Sequence, residues 1–136
     1  MPRNNAIVSK RVIDFLGRAA ISAVFVNAVP GKITDFPGNT AFIASKGIPE
    51  PLANILLFAA ILVLIAGSIL LVFGSNTKLG ALLLLIFLVP TTLIFHTLPI
   101  DPGFYMNLSL IGALVLAITR SEGENVPSFR DLRARH

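Results

Sequence analysis

A chain of 136 residues that is 54% hydrophobic and only 13% charged carries about half the charge of a soluble domain, which runs near 25%. With long apolar runs and a mean hydropathy of +0.82, that places it in the membrane class, as one domain. Having no cysteine, it holds no disulfide, thiol redox centre, iron–sulfur cluster or Cys-based zinc site, and its two histidines, one of them the terminal His136, argue against a haem held by paired histidines.

Residues 1–11 are polar and basic, with Arg3, Lys10 and Arg11. The first apolar run, 12–30, has the basic start and the small residues (Val26, Asn27, Ala28) of a signal peptide. Arg18 inside it points instead to a retained span. Asp14 and Arg18 stand four apart, the spacing of a structural ion pair on one helix face, and Ala19 and Ala23 offer a small-residue contact. Residues 31–51 are punctuated by Gly31, Pro37, Gly38, Gly47, Pro49 and Pro51. A short helix near 39–46, with Phe42 and Ile43 as its apolar side, would lie at the membrane surface. The second span is 52–73, started by Pro51. Gly74–Lys78 is a turn. The third span, 79–96, covers about 27 Å as a helix, close to the thickness of a bilayer core, and carries Pro90, Thr91 and Thr92 inside it and His96 at its end. Pro90 predicts a kink whose freed carbonyls are satisfied locally. After a Pro-rich loop, the fourth span is 104–119, with Ser109, Ala113 and Ala117 as a small-residue packing stripe. Residues 120–136 form a basic tail. The fold expected is therefore all-α: an integral membrane four-helix bundle with a short interfacial helix between the first and second spans.

Charge sets the topology, since short basic loops stay cytoplasmic. With four spans, Arg3, Lys10, Arg11, Lys78, Arg120, Arg130, Arg133 and Arg135 share one side. The other holds Lys32 and Lys46 against Asp35, Glu50 and Asp101. Both termini are expected in the cytoplasm. Because the positive charges gather at span ends, they imply no nucleic-acid partner; the expected partners are the bilayer and other membrane subunits, with a second copy of the chain as a further option.

The same topology brings Asn27, Lys32, Asp35, His96 and Asn107 to the outer end. Polar groups near hydrocarbon must find partners, so a polar level of Lys32, Asp35, His96 and Asn107, floored by Phe25, Phe95 and Leu110, is the candidate pocket for a quinone carbonyl or a small anion. The plainer alternatives are a histidine meeting headgroups, an asparagine cross-linking helices and lysines that snorkel. No HExxH, GxSxG or P-loop is present, and no metal site is expected.

Gly17-Arg18, Phe25, Lys32-Ile33-Thr34-Asp35-Phe36, Lys46-Gly47-Ile48-Pro49, Gly74, Phe95-His96 and Asn107-Leu108 together resemble the DoxX family of small bacterial four-helix membrane proteins, over about residues 15–119. The resemblance implies a bundle in the bacterial cell membrane, or in a thylakoid if the source is a phototroph. It implies polar positions at Arg18, Lys32, Asp35, His96 and Asn107. Some relatives are linked to thiosulfate:quinone oxidoreductase or membrane redox complexes, and many have no assigned activity. Two places depart from the family's pattern. Ala28 stands where a glycine is frequent, and Leu64-Ile65-Ala66-Gly67-Ser68 stands where a Glu and paired glycines are frequent, so a buried acidic partner is lost.

Three functions compete: a redox-complex subunit with an outer quinone or oxyanion pocket; a non-catalytic subunit packing against a larger complex; and a transporter, the weakest because no span carries an acidic residue at mid-depth. A quinone is the candidate cofactor. With no metal-ligand set of its own, the chain cannot move electrons without a bound cofactor.

Overall fold

A computed structural model describes residues 2–74, 76–97 and 99–123. Five helices follow one another: α1 (Pro2–Thr34), α2 (Phe36–Ala44), α3 (Glu50–Phe73), α4 (Thr77–Phe95) and α5 (Pro102–Gly123). Four contain stretches long and apolar enough to cross a membrane: Ser9–Thr34, Glu50–Phe73, Thr77–Phe95 and Pro102–Ser121. The expected membrane four-helix bundle with a short extra helix is what the chain forms. Ser75, Leu98 and the tail from residue 124, with Arg130, Arg133 and Arg135, lie outside the described residues.

Local chemistry sets the helix ends. The first span is expected over 12–30, but α1 continues through Pro30 to Thr34. A proline removes one N–H, and a spanning helix tolerates that where nearby groups take up the freed ones. The chain breaks five residues later, at Asp35, whose carboxylate accepts from Gly38 N (3.3 Å) and caps α2. The Asn39 amide donates to the carbonyls of Gly31 (3.2 Å) and Asp35 (2.8 Å), tying α2 back to the end of α1. Gly47, at φ +93°, ends the α2 segment in a conformation that suits glycine. Asn76 caps α4 by accepting from Leu79 N at 3.0 Å. Near Pro90, the Thr91 and Thr92 hydroxyls donate to the carbonyls of Phe87 and Leu88, both at 2.7 Å. Each satisfies itself four residues back, as expected of polar groups in hydrocarbon.

The tightest seam joins α3 to α4. A Cβ on Gly80 would lie 2.5 Å from Leu71 N and 2.8 Å from Gly67 O, so the two backbones touch there. Lipid tails are as apolar as leucine, and close packing of this kind is what holds helices together in a bilayer. Leu57, Leu64, Leu71, Leu84, Leu88 and Phe25 fill the core. Leu64 is fully buried. α5 packs on α4 and α1 packs on α3, while α1 and α5 meet only sparsely. The α5 packing face includes Asn107 and Leu114; of the predicted small-residue stripe, Ala117 packs against the core, Ala113 is half-buried and Ser109 is exposed. Outside, Leu16, Ile55, Phe58, Leu62, Ile69 and Leu116 are bare, as a surface in contact with lipid requires.

The Asp14–Arg18 pair expected from sequence does not form. Arg18 Nη1 donates to the carbonyls of Leu71 (2.9 Å) and Val72 (3.2 Å), and Asp14 pairs with Arg120 Nη2 at 2.9 Å. The last carbonyls of a helix lack intrahelical donors, and those of α3 end within reach of Arg18. A guanidinium there also meets the negative end of the helix dipole. That tertiary demand outranks the local i, i+4 spacing.

Candidate functional site

The end of the bundle opposite Asp14 and Arg120 is built from the close of α1, α2, the start of α3, the close of α4 and the loop into α5. Here α2 lies against α3, with Phe42 on its apolar side. Phe42 stacks on Phe95 of α4, with centroids 5.1 Å apart and planes at 22°. Lys46 Nζ sits 5.5 Å from the Phe42 centroid and 5.9 Å from that of Phe95, within cation–π range of both rings. The pair roofs one edge of a cavity between α2, α3 and α4.

That cavity has a volume of about 580 Å³, within the range of small-molecule sites. Its walls are apolar, with Leu57, Ala60, Val63, Phe87 and Ile94 among them, and its polar side chains, Lys32, Asn39, His96 and Asp101, come from the helix ends, with Thr91 one turn down. It reaches Val63 and Ile86, roughly 15 Å below the end of α4 at 1.5 Å per residue. Leu56, Ile86 and Ile94 in its wall are exposed, so it is a groove open on the apolar flank of the bundle.

His96 is the best-defined polar group. Its Nδ1 lies 2.9 Å and 3.0 Å from the two Asp101 carboxylate oxygens. A carboxylate only accepts, so Nδ1 carries the proton and Nε2 is the acceptor of the neutral ring. Asp101 also accepts from Phe104 N at 3.1 Å, which caps α5. Gly103 packs on the imidazole, and a Cβ there would lie 2.7 Å from Nδ1. Partial desolvation acts to raise the Asp101 carboxyl. The His96 hydrogen bond, the Phe104 and Gly103 amides and, when the ring is protonated, the His96 charge outweigh it, so the group ionises below its ordinary range.

The predicted polar level therefore assembles in part. Lys32, half-buried at the close of α1, and His96 line one cavity. Asp35 is exposed and spent on capping α2, not reaching back to Lys32. Asn107 is buried at 7% exposure within the bundle and is not part of the cavity wall. Asn27 is exposed. Asp101 was missed as a site residue. The signal was available: five residues after His96 and directly before Pro102-Gly103, it stands at a helix N-cap. Among the described residues no group of three His, Cys, Asp or Glu side chains could hold a metal ion.

The family model described as DoxX matches residues 13–97, more than half of the chain. No curated protein and no solved structure matches the sequence.

Proposed function

The chain belongs to the DoxX family, and from that premise we propose that it is a membrane subunit of a redox complex whose α2–α4 groove receives a quinone or quinol from the bilayer. The observation that carries this is the shape of the groove: apolar walls open to the lipid flank, ending at Lys32 and at a histidine whose Nδ1 is held by Asp101. A small sulfur oxyanion would leave the apolar walls unused, so the amphiphile is the better occupant. A quinone supplies two-electron chemistry when bound. The residues present supply binding and proton handling. Leu56, Ala60 and Val63 would flank an apolar body. Lys32 can donate to a carbonyl oxygen. His96 can accept a hydroxyl proton at Nε2, and the Asp101 carboxylate stabilises the imidazolium so formed. Electrons would pass to a redox centre on a partner subunit, since the chain has no cysteine and no metal-ligand group among its described residues.

In this proposal the end bearing Asp14 and Arg120 faces the cytoplasm of a bacterial cell, because Lys10, Arg11, Lys78 and Arg120 gather there. A cysteine at Asn39 should then react only with reagent added outside, and one at Ser121 only from inside.

An azido-quinone bound to the reconstituted protein and photolysed should label peptides of α2 and of the second half of α4, with protection by unlabelled quinone. Label spread evenly over the lipid-facing surface, without protection, would contradict the proposal and leave a non-catalytic packing subunit as the better account.

A further inference from the structure

A second cleft lies at the opposite end, between α1 and α5, and we propose that it binds one anionic phospholipid, headgroup at the mouth and acyl chain along the cleft. The cleft holds about 410 Å³ and exists because α1 and α5 meet only sparsely. Its mouth is formed by Asp14, Arg18 and Arg120, and its stem by Gly17, Ile21, Ala113 and Ala117. From Asp14 to Ile21 on one wall, and from Arg120 to Ala113 on the other, is about 10 Å along each helix. A charged mouth over an apolar stem of that depth fits an amphiphile standing upright in one leaflet.

The charge fits an anion. Among the described residues lining the mouth, two guanidinium groups face one carboxylate, and exposed Lys10 and Arg11 precede Asp14 by about a turn. Asp14 engages Nη2 of Arg120, which remains 58% exposed. Arg18 spends Nη1 on α3 carbonyls, which leaves Nε and Nη2 of a half-buried, positioned fork. Basic pockets between spanning helices are a recognised form of headgroup site. The stem is open as well as apolar: a Cβ at Gly17 would meet nothing within 4 Å. A free phosphate would leave this stem unused, and a partner helix pressed into it would desolvate the arginines without supplying a counter-charge. The site is independent of the quinone groove.

The full chain, purified in a neutral detergent, would be titrated with phosphatidylglycerol and with phosphatidylcholine of the same acyl chains. Bound lipid is counted by native mass spectrometry, and stability is followed by melting temperature. One phosphatidylglycerol should bind per chain and raise the melting temperature more than phosphatidylcholine does. Arg120→Ala should weaken it about fivefold, the share of one cation near a headgroup. Gly17→Leu, which fills the stem, should abolish the preference while the helical spectrum persists. If Gly17→Leu does not fold, the Arg120→Ala titration decides. Equal response to both lipids, an unchanged preference in Arg120→Ala or in a folded Gly17→Leu, or the same shift from glycerol phosphate without acyl chains would each overturn the proposal.

Discussion

The two ends of the bundle differ in what their closest contacts are made of. At the end bearing Asp14, backbone meets backbone at Gly67 and Gly80, and Arg18 ties α1 to the last carbonyls of α3. At the other end, side chains meet side chains: Phe42 on Phe95, His96 on Asp101, Lys46 over two rings. Backbone contacts cannot yield without moving a helix, whereas side chains can turn aside for a guest. The first end fixes how α4 sits on α3 and α1 on α3, leaving space between α1 and α5, and the second leaves room between α2, α3 and α4.

Glycines at the two ends give the widest contrast. Gly80→Val should cost about 3 kcal/mol, the upper range for overpacking, because the atoms in its way are Leu71 N and Gly67 O. The protein would accumulate poorly. Gly103→Ala meets instead the His96 ring and Asp101 Oδ1. It should leave the melting temperature nearly unchanged and lower quinone affinity by displacing the imidazole. Equal losses of stability in thermal melts of the two variants would erase the distinction.

Arg18→Leu comes next, at about 2 kcal/mol, from the loss of charge-assisted bonds to two helix-end carbonyls. Adding Asp14→Asn should not recover the lost protein level, because the partner of Asp14 is Arg120. Recovery in the double variant would show that Asp14 and Arg18 are partners after all.

Acid should act on the end that bears His96 and Asp101. The Asp101 carboxyl ionises more readily in the folded protein than in the unfolded chain, so its contribution is fully present above the ordinary carboxylate value. It is lost as pH falls through the lowered folded value. Between pH 7 and 5, amide exchange at Phe104 should therefore not respond to Asp101, and protection should fall only in stronger acid. Loss of protection near neutrality would contradict this. The smallest effect is expected from the Asp14–Arg120 pair. With Arg120 58% exposed, a double-mutant cycle on thermal stability should give less than about 1 kcal/mol of coupling.

The spans were legible because stretches of about 16 to 22 residues dominated by apolar side chains admit few other structures. Their ends were less so. The apolar run 12–30 closes at Pro30, yet α1 runs on to Thr34, and Asp35 ends it by capping the next helix. The site was legible in part for a related reason. Lys32 and His96 were predicted at one level from topology alone, and the structure places both on one cavity. Asp35 and Asn107 were grouped with them by height along the bundle, and height does not specify which way a side chain faces. The i, i+4 spacing of Asp14 and Arg18 misled because it describes an isolated helix. The carbonyls of Leu71 and Val72, more than 50 residues away in sequence, are the stronger claim on that arginine.

In our proposal the groove at His96 binds a lipid-soluble quinone. Because the chain has no tryptophan, binding is best followed by the rise in melting temperature on titration with a short-tailed quinone. Parent, His96→Ala and Ala60→Phe proteins would be titrated in parallel, the last filling the groove from the α3 wall. The account predicts unliganded melting temperatures within a few degrees of one another, with a saturable rise in the parent, a rise at least about tenfold weaker in concentration for His96→Ala, and none for Ala60→Phe. An equal quinone response in all three proteins, or none in the parent, would contradict it.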